Sequence, residues 1–207
     1  GDGAGPETVN ANLRLEHHTQ FDAADVAVGG TGFESFLTDT GEYRFVEWAV
    51  RTLPYEIRDT GHQSGLADLF AAIGQVDRAE FHGTVEVESE EGTESYDFDV
   101  VLRDRMGVPL VVADTNARRD PVTGDMMTDL VESAYAVAEG TDLAGAVYVT
   151  ESFFEPGALE VTEEATGGGL LSRSSKESFV KTSRKRGYHL CLVESRGGSF
   201  YLNVPEL

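Results

Sequence analysis

The sequence predicts an α/β protein in which a mixed central β-sheet is flanked by helices. Three observations carry this. Phe81, Gly83, Val85 and Val87 alternate with Glu80, His82, Thr84, Glu86 and Glu88, the period of a half-buried strand. Two more strand-like runs, 96–102 and 109–114, follow across short turns. Met127, Leu130, Val131, Ala134, Tyr135 and Ala138 then recur at helical spacing, ahead of the nearly continuous apolar run 144–151 of a buried strand.

The elements can be justified in chain order. Residues 1–8 show no period and are expected to be loose. A short strand is expected over 11–16, with Leu13 and Leu15 on one face. Gly29, Gly30 and Gly32 break the chain and divide an N-terminal arm, 1–28, from the main domain, 29–207. Phe45, Val46, Ala49, Val50 and Leu53 predict a helix over 42–53, stopped by Pro54. Leu66, Leu69, Phe70 and Ile73 predict another over 64–73. Three meandering strands come next, turned at 90–93 and at Arg105-Met106-Gly107. The polar stretch 118–125 is a loop, and Gly140 ends the helix that follows it. Pro156 suits the first turn of a helix reaching Ala165. Gly167-Gly168-Gly169 reads as a joint. Ser174 and Glu177 have capping-box spacing and open a helix that Gly187 closes. The runs 188–194 and 200–204 form a last hairpin around 195–198.

Composition bounds the class. The 207 residues fit one domain, or one domain and an arm, and a 40% hydrophobic fraction supports a packed core. Against 37 acidic residues stand 16 basic ones, a net charge of −21. Acidic excess with scarce lysine reads as salt adaptation of the haloarchaeal kind, because a strongly charged, hydrated surface resists association in concentrated salt. The charge does not exclude nucleic acid. In molar salt the Debye length falls to about 3 Å, so only local contacts count. Cys191 stands alone in an apolar run, where it fills core space. There is no apolar run of membrane-spanning length and no signal-peptide pattern, so a cytoplasmic protein without a membrane partner is expected. Gly1 in the place of an initiating Met is read as a sign of a longer parent protein.

The chemistry-bearing residues gather at the ends of two strands. Asp99 ends one run and Asp114-Thr115-Asn116 ends the next. Residues two apart share a strand face, so Asp97 is expected beside Asp99, and Asn116 beside Asp114. Carboxylates converging there repel one another unless a divalent cation neutralises them. In this pattern the run 81–149 resembles the core of the PD-(D/E)XK nuclease superfamily, the restriction-endonuclease-like fold. That core is a helix, a three-strand meander, a helix and a strand. The resemblance implies that Asp99 and Asp114 hold Mg²⁺ for phosphodiester cleavage. It also implies a lysine two residues after Asp114, where this chain has Asn116. Asn116 can hydrogen-bond a water or a phosphate but is no base. The resemblance lets a catalytic cation come from elsewhere, from Lys176, Lys181, Arg118 or Arg119, and lets the first helix add an acid, Glu47 or Asp68.

The only three lysines, Lys176, Lys181 and Lys185, lie together with Arg173, Arg184 and Arg186 in fourteen positions. Lys181, Arg184 and Lys185 share one helical face. They form a phosphate-contacting helix, or else a helix whose cations offset its dipole and pair with nearby acids. Dipole compensation needs one or two cations rather than six, which favours phosphate contact. Arg118 and Arg119 are further candidate nucleic-acid contacts. The histidines show no zinc spacing, and no phosphate-loop or nucleophile-elbow motif is present.

The expected function is nucleic-acid binding, DNA before RNA, by a domain with a degenerate, weak or inactive nuclease site. A working Mg²⁺-dependent DNA nuclease with a relocated lysine is the alternative. A structural or protein-interaction module of a larger haloarchaeal protein is a third reading, of another class.

Overall fold

A computed structural model describes residues 13–17, 27–28, 31–32, 40–59, 66–90, 92–166 and 188–202. Its centre is a seven-stranded mixed sheet of β1 (Arg14–His17), β4 (Arg78–Ser89), β5 (Gly92–Arg103), β6 (Pro109–Asn116), β7 (Gly145–Thr150), β8 (His189–Arg196) and β9 (Ser199–Leu202), neighbours in that order. β4, β5 and β6 meander antiparallel, while β6, β7 and β8 run parallel. β1 joins β4 in parallel at one edge, and β9 folds back on β8 at the other. Gly197 and Gly198 make that last turn with φ of 59° and 84°, the double positive φ that a two-residue hairpin loop demands. β2 (Ala27–Val28) and β3 (Thr31–Gly32) form a separate two-stranded pair.

Helices cover both faces. On one lie α1 (Gly41–Arg51), α2 (Leu53–Asp59) and α3 (Ala67–Ile73). Phe45, Val50, Ile57 and Leu69 pack there on Phe81, Val100, Val111 and Val193. On the other lie α4 (Gly124–Gly140) and α5 (Pro156–Ala165). Met127, Leu130 and Val137 pack there on Val101, Val112, Tyr148 and Leu190. Thr40 and Thr123 cap α1 and α4 by accepting from Tyr43 N and Met126 N. The fold is therefore the expected α/β class, a mixed sheet between helical layers. Cys191 is core, and burial pushes its thiol up to about 12.

Pro54 ends α1 but also sits in the first turn of α2, where its missing N–H is not needed, so a seven-residue helix follows where a stop was expected. β4 also departs from its expected alternation. Glu80, expected on the solvent side, is 5% exposed. Its Oε2 accepts from Arg103 Nε at 2.6 Å. The same guanidinium donates to Thr84 O at 2.7 Å and Gly107 O at 3.1 Å, so one buried arginine ties β4 to β5 and to the turn before β6.

The alternation of β4 and β5 also changes sides midway. Ala79 and Phe81 face the α1–α3 layer, whereas Val85, of the same parity, faces α4. Val100 and Leu102 likewise face one layer, and Phe98 the other. The switch falls at His82, the only described non-glycine residue with positive φ (52°), and at Asp99 across from it. Gly83 follows His82 with no room for a side chain: a Cβ there would stand 2.9 Å from Val101 Cγ2 and 3.1 Å from Glu80 Cγ. Gly83→Ala is expected to lower stability by about 1–3 kcal/mol. A urea midpoint in concentrated potassium chloride matching the wild type's would mean that the strand pair gives way freely.

Candidate functional site

The β5–β6 ladder runs from Arg103/Pro109 to Val100/Ala113 and ends there. At the next step the two aspartates take over. Asp114 Oδ1 accepts from Asp99 N at 3.3 Å, and Asp99 Oδ2 accepts from Thr115 N at 2.7 Å and Thr115 Oγ1 at 2.9 Å. Each carboxylate thus satisfies backbone or hydroxyl donors that the opening ladder leaves free. The place is the carboxyl end of parallel strands β6 and β7, the usual crevice for ligands in open α/β sheets.

Around this pair stand more acids. Glu42, in the first turn of α1, stands with Oε1 3.2 Å from Thr115 Oγ1 and shares that hydroxyl's one proton with Asp99. Beside it a cleft of about 20 Å³, room for about one water, is lined by Gly41, Glu42, Thr115, Asn116, Glu151 and Ser195. His82 Nδ1 stands 4.0 Å from Asp99 Oδ1. On the opposite sheet face, burial, the Asp99 charge and the Asp129 charge together push the Asp114 carboxyl up to about 6, against the pull of the Asp99 N–H. Tyr148, the cross-strand neighbour of Asp114, is pushed up to about 12 by burial and then by the same carboxylates.

Asn116 shares the parity of Asp114 but is buried, and its amide serves the next loop. Nδ2 donates to Asp120 O at 2.8 Å, and Oδ1 accepts from Arg118 N at 3.1 Å. Arg118 and Arg119 are exposed on that loop.

A family model described as "Domain of unknown function (DUF7527)" matches residues 1–207, the full length given. The chain belongs to this family. No curated protein and no solved structure matches it.

The DUF7527 site brings together two of the residues singled out in the sequence, Asp99 and Asp114. Asp97 is not with them: across the strand switch it accepts from Thr84 Oγ1 at 2.6 Å, so the expectation that it flanks Asp99 is corrected. The first-helix acid is also corrected. Glu47 pairs with Arg51 at 2.6 Å, and Asp68 is exposed on α3 with its charge felt by His189; Glu42 is the acid that reaches the strand ends. Nothing in a lone glutamate near a helix start marked Glu42 in the sequence. His82 was likewise one histidine among five, and only its φ singles it out. Arg173, Lys176, Lys181, Arg184, Lys185 and Arg186 lie outside the described residues.

Hard oxygen donors fit Mg²⁺, which is commonly held by one or two carboxylates and completes its octahedron with water and phosphate. Asp99 and Asp114 supply that minimum. Among the described residues no three His, Cys, Asp or Glu side chains stand together as a metal cage. No helix among them is long and apolar enough to cross a membrane.

Proposed function

We propose that this DUF7527 domain binds nucleic acid, DNA before RNA, through a restriction-endonuclease-like fold whose nuclease centre is degenerate. One observation carries the reading. Asp99 and Asp114 meet where the β5–β6 ladder opens, while the position expected to hold lysine is Asn116, its amide committed to the 118–120 loop. The order helix, β4–β5–β6 meander, α4, then β7 parallel to β6, is the order the resemblance implies, and supports it. The lysine-bearing segment 173–186 supplies the cations for phosphate contact.

Bound Mg²⁺ would stabilise charge on a phosphate and acidify a water. Asp99 and Asp114 would hold it, with Glu42 fixing Thr115 and through it Asp99. Asn116 can neither take the water's proton nor add positive charge, a loss of roughly 10²-fold or more in rate. The weakly active alternative is favoured by one fact: Asp114 is held up to about 6 by burial and a neighbouring carboxylate, the condition a divalent cation would relieve.

DNA binding and cleavage measured in concentrated potassium chloride with Mg²⁺ or Mn²⁺ test the proposal. Wild type is expected to bind without measurable cleavage. Lys181→Ala/Arg184→Ala/Lys185→Ala is expected to weaken binding roughly tenfold or more, and Asp114→Ala to leave it near wild type. Wild-type cleavage that Asp114→Ala abolishes would establish the active nuclease instead. Absence of binding by wild type would leave the protein-interaction module.

A further inference from the structure

The loops after β6 and β7 are zipped into one platform. Val122 N donates to Phe153 O and Glu155 N to Val122 O, both at 2.9 Å, in an isolated parallel bridge of Val122 with Phe154. Ser152 Oγ donates to Arg119 O at 2.9 Å, and Glu151 N to Asn116 O at 3.0 Å. The Asn116 amide braces the same loop from inside. This register turns Phe154 inward, edge-on to Tyr148, and turns Phe153 outward with 54% of its surface exposed.

The same platform carries the exposed Arg118 and Arg119, and Arg119 O accepts from Ser152, the residue before Phe153. Of the ten described arginines, Arg14, Arg51, Arg58, Arg78, Arg103 and Arg196 pair with carboxylates, while Arg44 on α1 and Arg105 in the β5–β6 turn stand singly and exposed. Arg118 and Arg119 also have no such partner among the described residues, and of these four they alone are neighbours, both exposed on one loop. An aromatic ring held in water by fixed backbone loses little freedom on binding. An exposed π-face with two guanidinium groups on the same platform matches a nucleobase with its flanking phosphates.

We propose that the 118–122/152–155 platform is a binding site for an unpaired nucleotide, its base stacking on Phe153 and its phosphates meeting Arg118 and Arg119. A duplex keeps its base faces covered, so the ligand is single-stranded DNA or a frayed or flipped base. The inference rests on the nucleic-acid-binding reading and adds the form of nucleic acid to it.

The test compares a labelled oligodeoxythymidine with a duplex of equal length by fluorescence anisotropy over a potassium chloride series. Phe153→Ala is expected to weaken single-strand binding about tenfold, the range of one base–aromatic stack, and to leave duplex binding within about twofold. Phe153→Trp should restore it, and Phe153→Leu should not, since leucine offers apolar area without a π-face. Arg118→Ala/Arg119→Ala should weaken both ligands and reduce the single-strand salt slope by about 1.4, two phosphates' worth. Matching thermal midpoints would show that the variants are folded. Phe153→Ala binding the single strand as wild type does, or leucine rescuing as well as tryptophan, overturns the platform and leaves nucleic-acid binding standing. A wild type that binds neither ligand overturns both.

Discussion

Arg103→Ala is expected to lower the stability of the domain by about 3–5 kcal/mol, because it leaves the Glu80 carboxylate buried without its main partner. The side chains of Arg103 and Glu80 are only 11% and 7% exposed, with 2.6 Å between Nε and Oε2. Arg78 Nη2, at 4.0 Å from Glu80 Oε2, is too distant to replace the lost bond. The loss also frees Thr84 O and Gly107 O, which Arg103 serves, so β4, β5 and the turn before β6 are loosened at once. Urea unfolding in concentrated potassium chloride reads the change. Salt should rescue little of it, since screening acts weakly on a buried pair. Glu80→Met/Arg103→Met removes both charges together and should be far less damaging than Arg103→Ala. A double variant as unstable as the single one would mean that the guanidinium's bonds to backbone, not the ion pair, hold the hairpin.

The same pair shows why the sequence was only partly legible. Strand and helix periods are local, and they placed β4 to β7, α4 and α5 well, down to Pro156 in the first turn of α5. Glu80 sits in a run that alternates as a solvent-facing strand should, and nothing local reveals that Arg103, twenty-three residues on, draws it inside. His82 escaped for a related reason. A positive φ switches the faces of β4 without breaking its apolar–polar alternation, so the pattern reads through the switch as though the strand were regular. Asp97 was misplaced by the same blindness, being on the far side of the switch from Asp99. α2 was missed because seven residues are too few to show a period.

At the candidate site the division is similar. Asp99 and Asp114 were legible because short turns fix the register of a meander, and that register brings the two residues to the same step at the end of the ladder. Glu42 was not, because it arrives from another layer of the fold. Asn116 changes meaning most. In sequence it stands where the nuclease resemblance implies a lysine. In the fold its amide joins the strand end to the loop that presents Arg118 and Arg119. The Asn116 side chain is thus part of the frame for two exposed cations.

The acids that remain should still be measurable as a liability. The Asp114 carboxyl is raised from 3.8 to about 6 by burial and by the Asp99 charge. A folded pKa above the unfolded one means that folding favours the protonated form. Its contribution is complete below pH of about 4 and is lost as pH rises through about 6. The shift corresponds to about 2–3 kcal/mol. Asp114→Asn keeps an acceptor for Asp99 N and mimics the protonated acid. It should match wild type near pH 4 and exceed it by about 2 kcal/mol at pH 8, read from urea midpoints across that range. A gap that does not widen with pH would remove the charge conflict from the site. Magnesium then separates the two uses of such a conflict. If Asp99 and Asp114 hold the cation, adding Mg²⁺ should raise the wild-type midpoint at pH 8 by about 1.4 kcal/mol at ten times its Kd and leave Asp114→Asn unmoved. The gap between the two proteins would then close from the wild-type side, and the strain at Asp114 would be the mark of a cation site without its ion. If Mg²⁺ moves neither protein, the pair is no cation site, and the proposed nucleic-acid contact would rest on the arginines and lysines alone.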